Sequence, residues 1–138
     1  MRRLLPSGTV TFVFTDISGS TTLLNELGDE RYARALAEHR ETLRSAFARY
    51  GGIEVGTEGD SFFIAFPTAR QALSAVSDGI LALERGQIRV RAGIHTGTPL
   101  LTAEGYVGID VHRASRIASA GHGGQVLVSA TTAALVDA

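Results

Sequence analysis

Cysteine, lysine and tryptophan are all absent from the 138 residues. Without cysteine there is neither a disulfide framework nor a thiolate zinc site. Without lysine no chemical step can use an ammonium side chain, since all thirteen basic residues are arginine. An excess of one charge is lacking too. Thirteen basic and fourteen acidic residues leave a formal net charge of −1, which supplies no global field to hold a nucleic-acid backbone or an anionic membrane, so any anion must be bound locally. Long apolar runs are also missing. The opening MRRLLPSGTVTFVFTD is broken by Pro6, Gly8 and Asp16 before a signal-peptide core can form, and no stretch is long enough to span a bilayer. What remains is an ordinary folded composition, 44% hydrophobic and 20% charged, at a length that suits one domain over 1–138.

Thr9 to Asp16 (TVTFVFTD) is rich in β-branched and aromatic residues that alternate as a central strand does. It runs into Ile17-Ser18-Gly19-Ser20, where Ser18 or Ser20 caps a helix carrying Leu23, Leu24 and Leu27. A longer helix is expected from Glu30 to Tyr50, with His39, Arg40, Glu41 and Arg44 mostly on its outer face, ending at Gly51-Gly52. Ile53–Val55 and Ser61–Phe66 form a hairpin about the turn Gly56-Thr57-Glu58-Gly59, and a helix follows from Thr68 to Glu84. Ile88 to His95 alternates as a strand, Thr96 to Gly108 reads as a loop, and Ile109 to Ala120 as a helix. A short strand over Gln125–Ser129 and the start of a helix over Thr131–Val136 close the chain. This order suits an α+β fold with a ferredoxin-like, antiparallel-rich sheet and helices on one face, the other face being left for a partner.

Several residues have the chemistry to form a site, and each has a plain structural reading beside it. Asp16 ends a strand and Asp60 follows the hairpin turn. On neighbouring strands the two would share one sheet end and, with substrate phosphates and waters, could hold one or two magnesium ions; they would also serve as turn and capping residues. Gly19, Ser20 and Thr21 at a helix start offer free N–H groups to an anion, or are simply a small-residue helix entry. Arg91 shares a strand face with Arg89, either as a phosphate ligand or as one of two solvated arginines. His112, Arg113 and Arg116 occupy neighbouring positions on one helix, where arginine's planar fork suits phosphate oxygens and a solvated face explains them equally well. His39 and His122 read as surface residues, and no histidine pair has zinc-ligand spacing with a third donor.

Taken together, TFVFTDISGST (Thr11–Thr21), GTEGDSFFIAF (Gly56–Phe66), RAGIHTG (Arg91–Gly97) and YVGIDVHRASRIASAG (Tyr106–Gly121) resemble the catalytic domain of class III nucleotidyl cyclases, in its divergent bacterial form. Four blocks in the right order cover nearly the whole chain. The resemblance implies that Asp16 and Asp60, with the backbone carbonyl of Ile17, hold two Mg2+ or Mn2+ ions. These would activate the ribose 3′-hydroxyl of a nucleoside triphosphate, ATP ahead of GTP, for attack on its own α-phosphorus. Gly19, Ser20 and Thr21 would cradle the β- and γ-phosphates, Arg91 would neutralise them, and Arg116 would contact charge developing on the α-phosphoryl group. It further implies a head-to-tail homodimer in the cytoplasm, with metal residues of one chain meeting Arg116 of the other, no nucleic-acid or membrane partner, and a fused or separate regulatory domain.

The departures from that pattern carry their own information. The adenine-selecting lysine falls at Gly56 and its partner aspartate at Gly105, while His112 replaces the ribose-orienting asparagine. Glu58, two residues before Asp60, is a second candidate for reading a base edge, and His112 retains a ring nitrogen for the ribose. The late transition-state lysine belongs to strands beyond the fifth helix, which makes this domain C-terminally short. Three readings follow: a slow metal-dependent cyclase, a degenerate cyclase fold that binds nucleotide or a partner chain without turnover, and a ferredoxin-like assembly module.

Overall fold

A computed structural model describes residues 5–58 and 60–136, apart from the side chain of Glu58. The chain begins with β1 (Val10–Ile17), α1 (Ser20–Leu27) and α2 (Asp29–Arg49), followed by the hairpin β2 (Ile53–Glu58) and β3 (Ser61–Phe66). Next come α3 (Ala69–Leu83), β4 (Val90–Gly97), the short strands β5 (Leu100–Thr102) and β6 (Gly105–Val107), α4 (Ile109–Ser119), β7 (Val126–Val128) and α5 (Ala130–Val136). Five strands form one sheet in the order β2-β3-β1-β4-β7, antiparallel except for the β4–β7 pair. The α+β, antiparallel-rich architecture expected from the sequence is therefore present.

The period-two pattern of β1 decides what each face of the sheet touches. Val13 and Ile17, with their cross-strand partners Ile64, Ile94 and Val90, point into a core shared with Leu43 and Phe47 of α2 and Ala72, Ala75 and Val76 of α3. Phe12 and Phe14 point the other way, with Ala65, Phe63 and Ala114. The expected face of helices is thus made by α2 and α3, while α4 lies across the β4 end of the opposite face. Its approach depends on glycine. A Cβ at Gly93 would overlap the backbone of Ala118, and one at Gly97 would overlap the Asp110 carboxylate. Small side chains at Ala114 and Ala118, both buried, complete this close contact.

Three expectations need correction. The Thr96–Gly108 loop contains the end of β4 and a separate two-stranded hairpin, β5–β6, in which Thr102 pairs with Gly105 across Ala103-Glu104. β2 continues to Glu58 through most of the presumed turn, with an irregularity between Glu54 and Gly56; Gly59 lies outside the described residues. His39 is not a surface residue. It is 2% exposed, its ring meets Phe62 edge-on at 5.9 Å, and its Nδ1 lies 3.3 Å from the Leu36 carbonyl oxygen.

Burial lowers the His39 pKa from its ordinary value of 6.5, so the folded chain keeps this imidazole neutral. The unfolded chain then binds the proton more readily, and the stability this residue confers is complete above its ordinary pKa and declines as pH falls below it. Thermal unfolding between about pH 7.5 and about pH 5.5 should show a smaller drop in melting temperature for His39→Leu than for the parent chain. An equal drop in both would contradict this assignment.

Candidate functional site

The last residues of β1 and the turn before β3 meet at one end of the sheet. Thr15 is registered with Phe62, so Asp16, the next residue of β1, and Asp60, in the turn just before β3, lie at the same end of these neighbouring strands. The two aspartates therefore stand at the same sheet end on strands about 4.8 Å apart. On its other side β1 is registered with β4 so that Asp16 faces Arg91 directly.

That register produces the strongest ionic contact at this end. Arg91 Nε donates to Asp16 Oδ1 at 2.5 Å and Nη2 donates to Oδ2 at 3.2 Å, the two-point geometry only a guanidinium offers a carboxylate. Nη1 donates to the carbonyls of Ser119 at 3.0 Å and Gly121 at 3.3 Å, which satisfies carbonyls at the end of α4. The Asp16 hydrogen bond raises the Arg91 pKa above its already high value. Arg89 has different work: it donates to the carbonyls of Leu83, Glu84 and Gly86 and so closes the end of α3. The two arginines, read from the sequence as sharing a strand face, therefore bind different partners.

Asp60 is the counterpart of this arrangement. Among the described residues it makes no hydrogen bond or ion pair. Its charge is felt on α2, where burial first and Asp60 second raise the Tyr32 pKa. A free carboxylate, a paired one that can be released, and the Ile17 carbonyl are hard oxygen donors. Among the described residues no group of three or more His, Cys, Asp or Glu side chains could hold an ion, so no all-protein cage is available. This donor set fits a cation that keeps several waters and takes other ligands from a bound phosphate, as magnesium does.

Beside Asp16 the chain turns through Gly19, whose φ of +67° is a left-handed conformation suited to glycine. No side chain caps α1, and the amides of Ser20, Thr21 and Thr22 have no partner among the described residues. They form an anion-accepting edge next to the carboxylates.

The remaining candidates fall elsewhere. His112 and Arg116 lie exposed on α4. Arg116 lies two positions from each of the buried Ala114 and Ala118, so its side chain leaves the helix on the side away from the sheet. Within one chain, Arg116 and Asp16 are not brought together. Gly56 lines a cavity of about 250 Å3 with Phe14, Ser61, Phe62 and Phe63, in which the Phe14 and Phe63 rings stack at 4.3 Å. Gly105 begins β6 at φ +118°, with open space around its Cα, as there is around Gly56. The Glu58 side chain lies outside the described residues.

A polar chain that the sequence reading did not single out anchors α4 and α5 to β4. His95, 5% exposed, contacts Asp110 Oδ1 through Nε2 at 2.7 Å and Ser129 Oγ through Nδ1 at 2.8 Å. From Ser129 the contacts continue through Thr132 (3.1 Å) and Thr96 (2.8 Å) to Thr11 (2.9 Å). The signal for it was the Gly-x-His-x-Gly alternation over Gly93–Gly97, which leaves room for Asp110 beside the ring.

The family described as the adenylate and guanylate cyclase catalytic domain matches residues 4–138. An uncharacterized protein of Mycobacterium tuberculosis is 39% identical over 97% of this chain, and the chain spans 47% of its length. The adenylate cyclase of Lachancea kluyveri is 34% identical over 90% of the chain, which spans 8% of that protein. Among solved structures, an adenylate cyclase from Trypanosoma brucei in its monomeric state superposes with a TM-score of 0.85 at 28% identity, over 94% of this chain and 77% of that one.

Removing the Asp110 carboxylate should leave the buried His95 ring nitrogen without its partner. Asp110→Ala is expected to lower unfolding free energy by about 1–3 kcal/mol in denaturant titration, and His112→Ala, at an exposed position on the same helix, by less than about 0.5 kcal/mol. Equal stabilities for the two variants would count against the anchoring role.

Proposed function

Because the chain belongs to the adenylate and guanylate cyclase catalytic-domain family, we propose that it converts a nucleoside triphosphate, ATP ahead of GTP, into a 3′,5′-cyclic nucleotide and pyrophosphate for intracellular signalling. The observation that carries this reading is the placement at one sheet end of Asp16, Asp60 and the α1 amides that have no partner among the described residues. Two Mg2+ or Mn2+ ions held by Asp16, Asp60 and the Ile17 carbonyl would supply activation of the 3′-hydroxyl and neutralisation of the departing pyrophosphate.

The chain's own groups do the rest. The amides of Ser20 and Thr21 donate to oxygens of the β- and γ-phosphates, where the dipole of α1 favours negative charge. Arg91 neutralises the same phosphates through its planar fork. Arg116 stabilises charge on the α-phosphoryl group, and His112 orients the ribose through a ring nitrogen. Both lie on the outer side of α4, so they serve a site on a second copy. Exposed Leu100, Val107 and Ile109, 66%, 55% and 61% accessible, flank that surface and suit burial between copies packed head to tail.

The open space at Gly56 and Gly105 supports a second reading, a cyclase fold that binds nucleotide without turnover. No side chain at either position offers a hydrogen bond to a base edge.

One assay separates these readings. Purified chain with ATP or GTP and Mn2+ should form cyclic nucleotide, while Asp16→Ala and Arg116→Ala should each reduce the rate by about a hundredfold or more. Mixed in equal amounts, the two inactive variants should recover about a quarter of the parent activity, because half of the dimers are mixed and each mixed dimer keeps one intact site. Product that persists in Asp16→Ala, or no recovery on mixing, would overturn the shared two-carboxylate site. Saturable Mn2+-dependent triphosphate binding with no product would favour the second reading.

A further inference from the structure

We propose that Arg91 is a positioning residue that keeps Asp16 closed to cations until a triphosphate draws the guanidinium away, so that cation binding at Asp16 follows nucleotide binding. This inference rests on the cyclase reading and adds an order to it. Its basis is the disparity between the two carboxylates at the sheet end. Asp60 is unpaired among the described residues, whereas both oxygens of Asp16 are taken by one guanidinium.

Geometry makes the closure specific. Asp16 and Arg91 are registered partners on β1 and β4, so the contact is built into the sheet. The remaining bonds of Arg91, to the Ser119 and Gly121 carbonyls, fix the plane of the guanidinium so that Nε and Nη2 present an edge to the carboxylate. A cation approaching Asp16 therefore finds a lone pair of each oxygen already held by a charge-assisted hydrogen bond and meets a positive group beside both oxygens. Phosphate oxygens at the start of α1 compete for the same guanidinium, and their arrival would release Asp16 as a cation ligand. The pair is also accessible enough to exchange partners, with side chains 30% and 26% exposed. The bonds to Ser119 and Gly121 extend the consequence to α4: release of Arg91 frees the end of the helix that carries Arg116.

The test measures Mn2+ binding by electron paramagnetic resonance, with no turnover required. In the nucleotide-free chain, Arg91→Gln should bind Mn2+ about ten- to a hundredfold more tightly than the parent, the range set by losing a charge-assisted two-point pair. Arg91→Lys keeps the charge but not the two-point geometry, and should tighten binding as well; parental affinity in this variant would reduce the effect to bare electrostatics and overturn the closure. Asp16→Asn combined with Arg91→Gln should lose the gain. Adding a non-hydrolysable triphosphate analogue to the parent should raise its Mn2+ affinity, and far less so in Arg91→Gln. Equal nucleotide-free affinity in parent and Arg91→Gln, with analogue-dependent binding intact, overturns the closure and leaves the cyclase reading standing. Absence of Mn2+ binding even with the analogue overturns both. Melting temperatures of the Arg91 variants, measured alongside, identify any that fail to fold, and the Lys variant then carries the comparison.

Discussion

Asp16 and Arg91 face each other across two strands of one sheet, and the candidate site is organised around that ion pair. The register that creates it also puts Asp60 at the same end of the neighbouring strand and starts α1 beside the two carboxylates. A shift of one residue between β1 and β4 would turn Arg91 to the opposite face and leave Asp16 without a partner. Such a slip is opposed by the core itself: Val13, Ile64 and Ile94 lie level with one another on the α2 and α3 face, and Phe14 and Phe63 stack on the other. Hydrophobic alternation thereby fixes a charge contact to which apolar residues contribute no bond.

The second constraint is the closeness of α4 to β4. Gly93, Gly97, Ala114 and Ala118 remove side-chain volume where helix and strand meet, and the vacated space admits the Asp110–His95 contact and the bonds from Arg91 to the helix end. This packing leaves Arg116 on the far side of α4. Residues gathered in one functional reading are thus separated within a chain, which is why the proposed reaction requires two copies in register.

Much of this was legible before any coordinates. Alternation in TVTFVFTD located β1, and glycine and proline bounded most other elements. The misreadings have physical causes. His39 falls four residues before Leu43 and eight before Phe47, on the buried stripe of α2, but its polar character suggests the outer face. β5 and β6 have three residues each, too few for a period-two pattern to stand out. The partner of Arg91 depends on strand register, a long-range property that no local window contains, so the arginine was visible as chemistry but its hold on Asp16 was not. The catalytic-domain family, by contrast, was carried by four ordered blocks, because close backbone approach, helix entry and paired carboxylates each restrict residue choice at fixed spacing.

Joint binding of divalent cations by Asp16 and Asp60 beneath a triphosphate is what the proposed reaction stands on. Anomalous diffraction from crystals grown with Mn2+ and a non-hydrolysable triphosphate analogue tests it directly. Manganese peaks should lie against both carboxylates, with Arg91 turned from Asp16 to the phosphates. Manganese bound away from these two side chains, with Arg91 still gripping Asp16 beneath an ordered triphosphate, would contradict it.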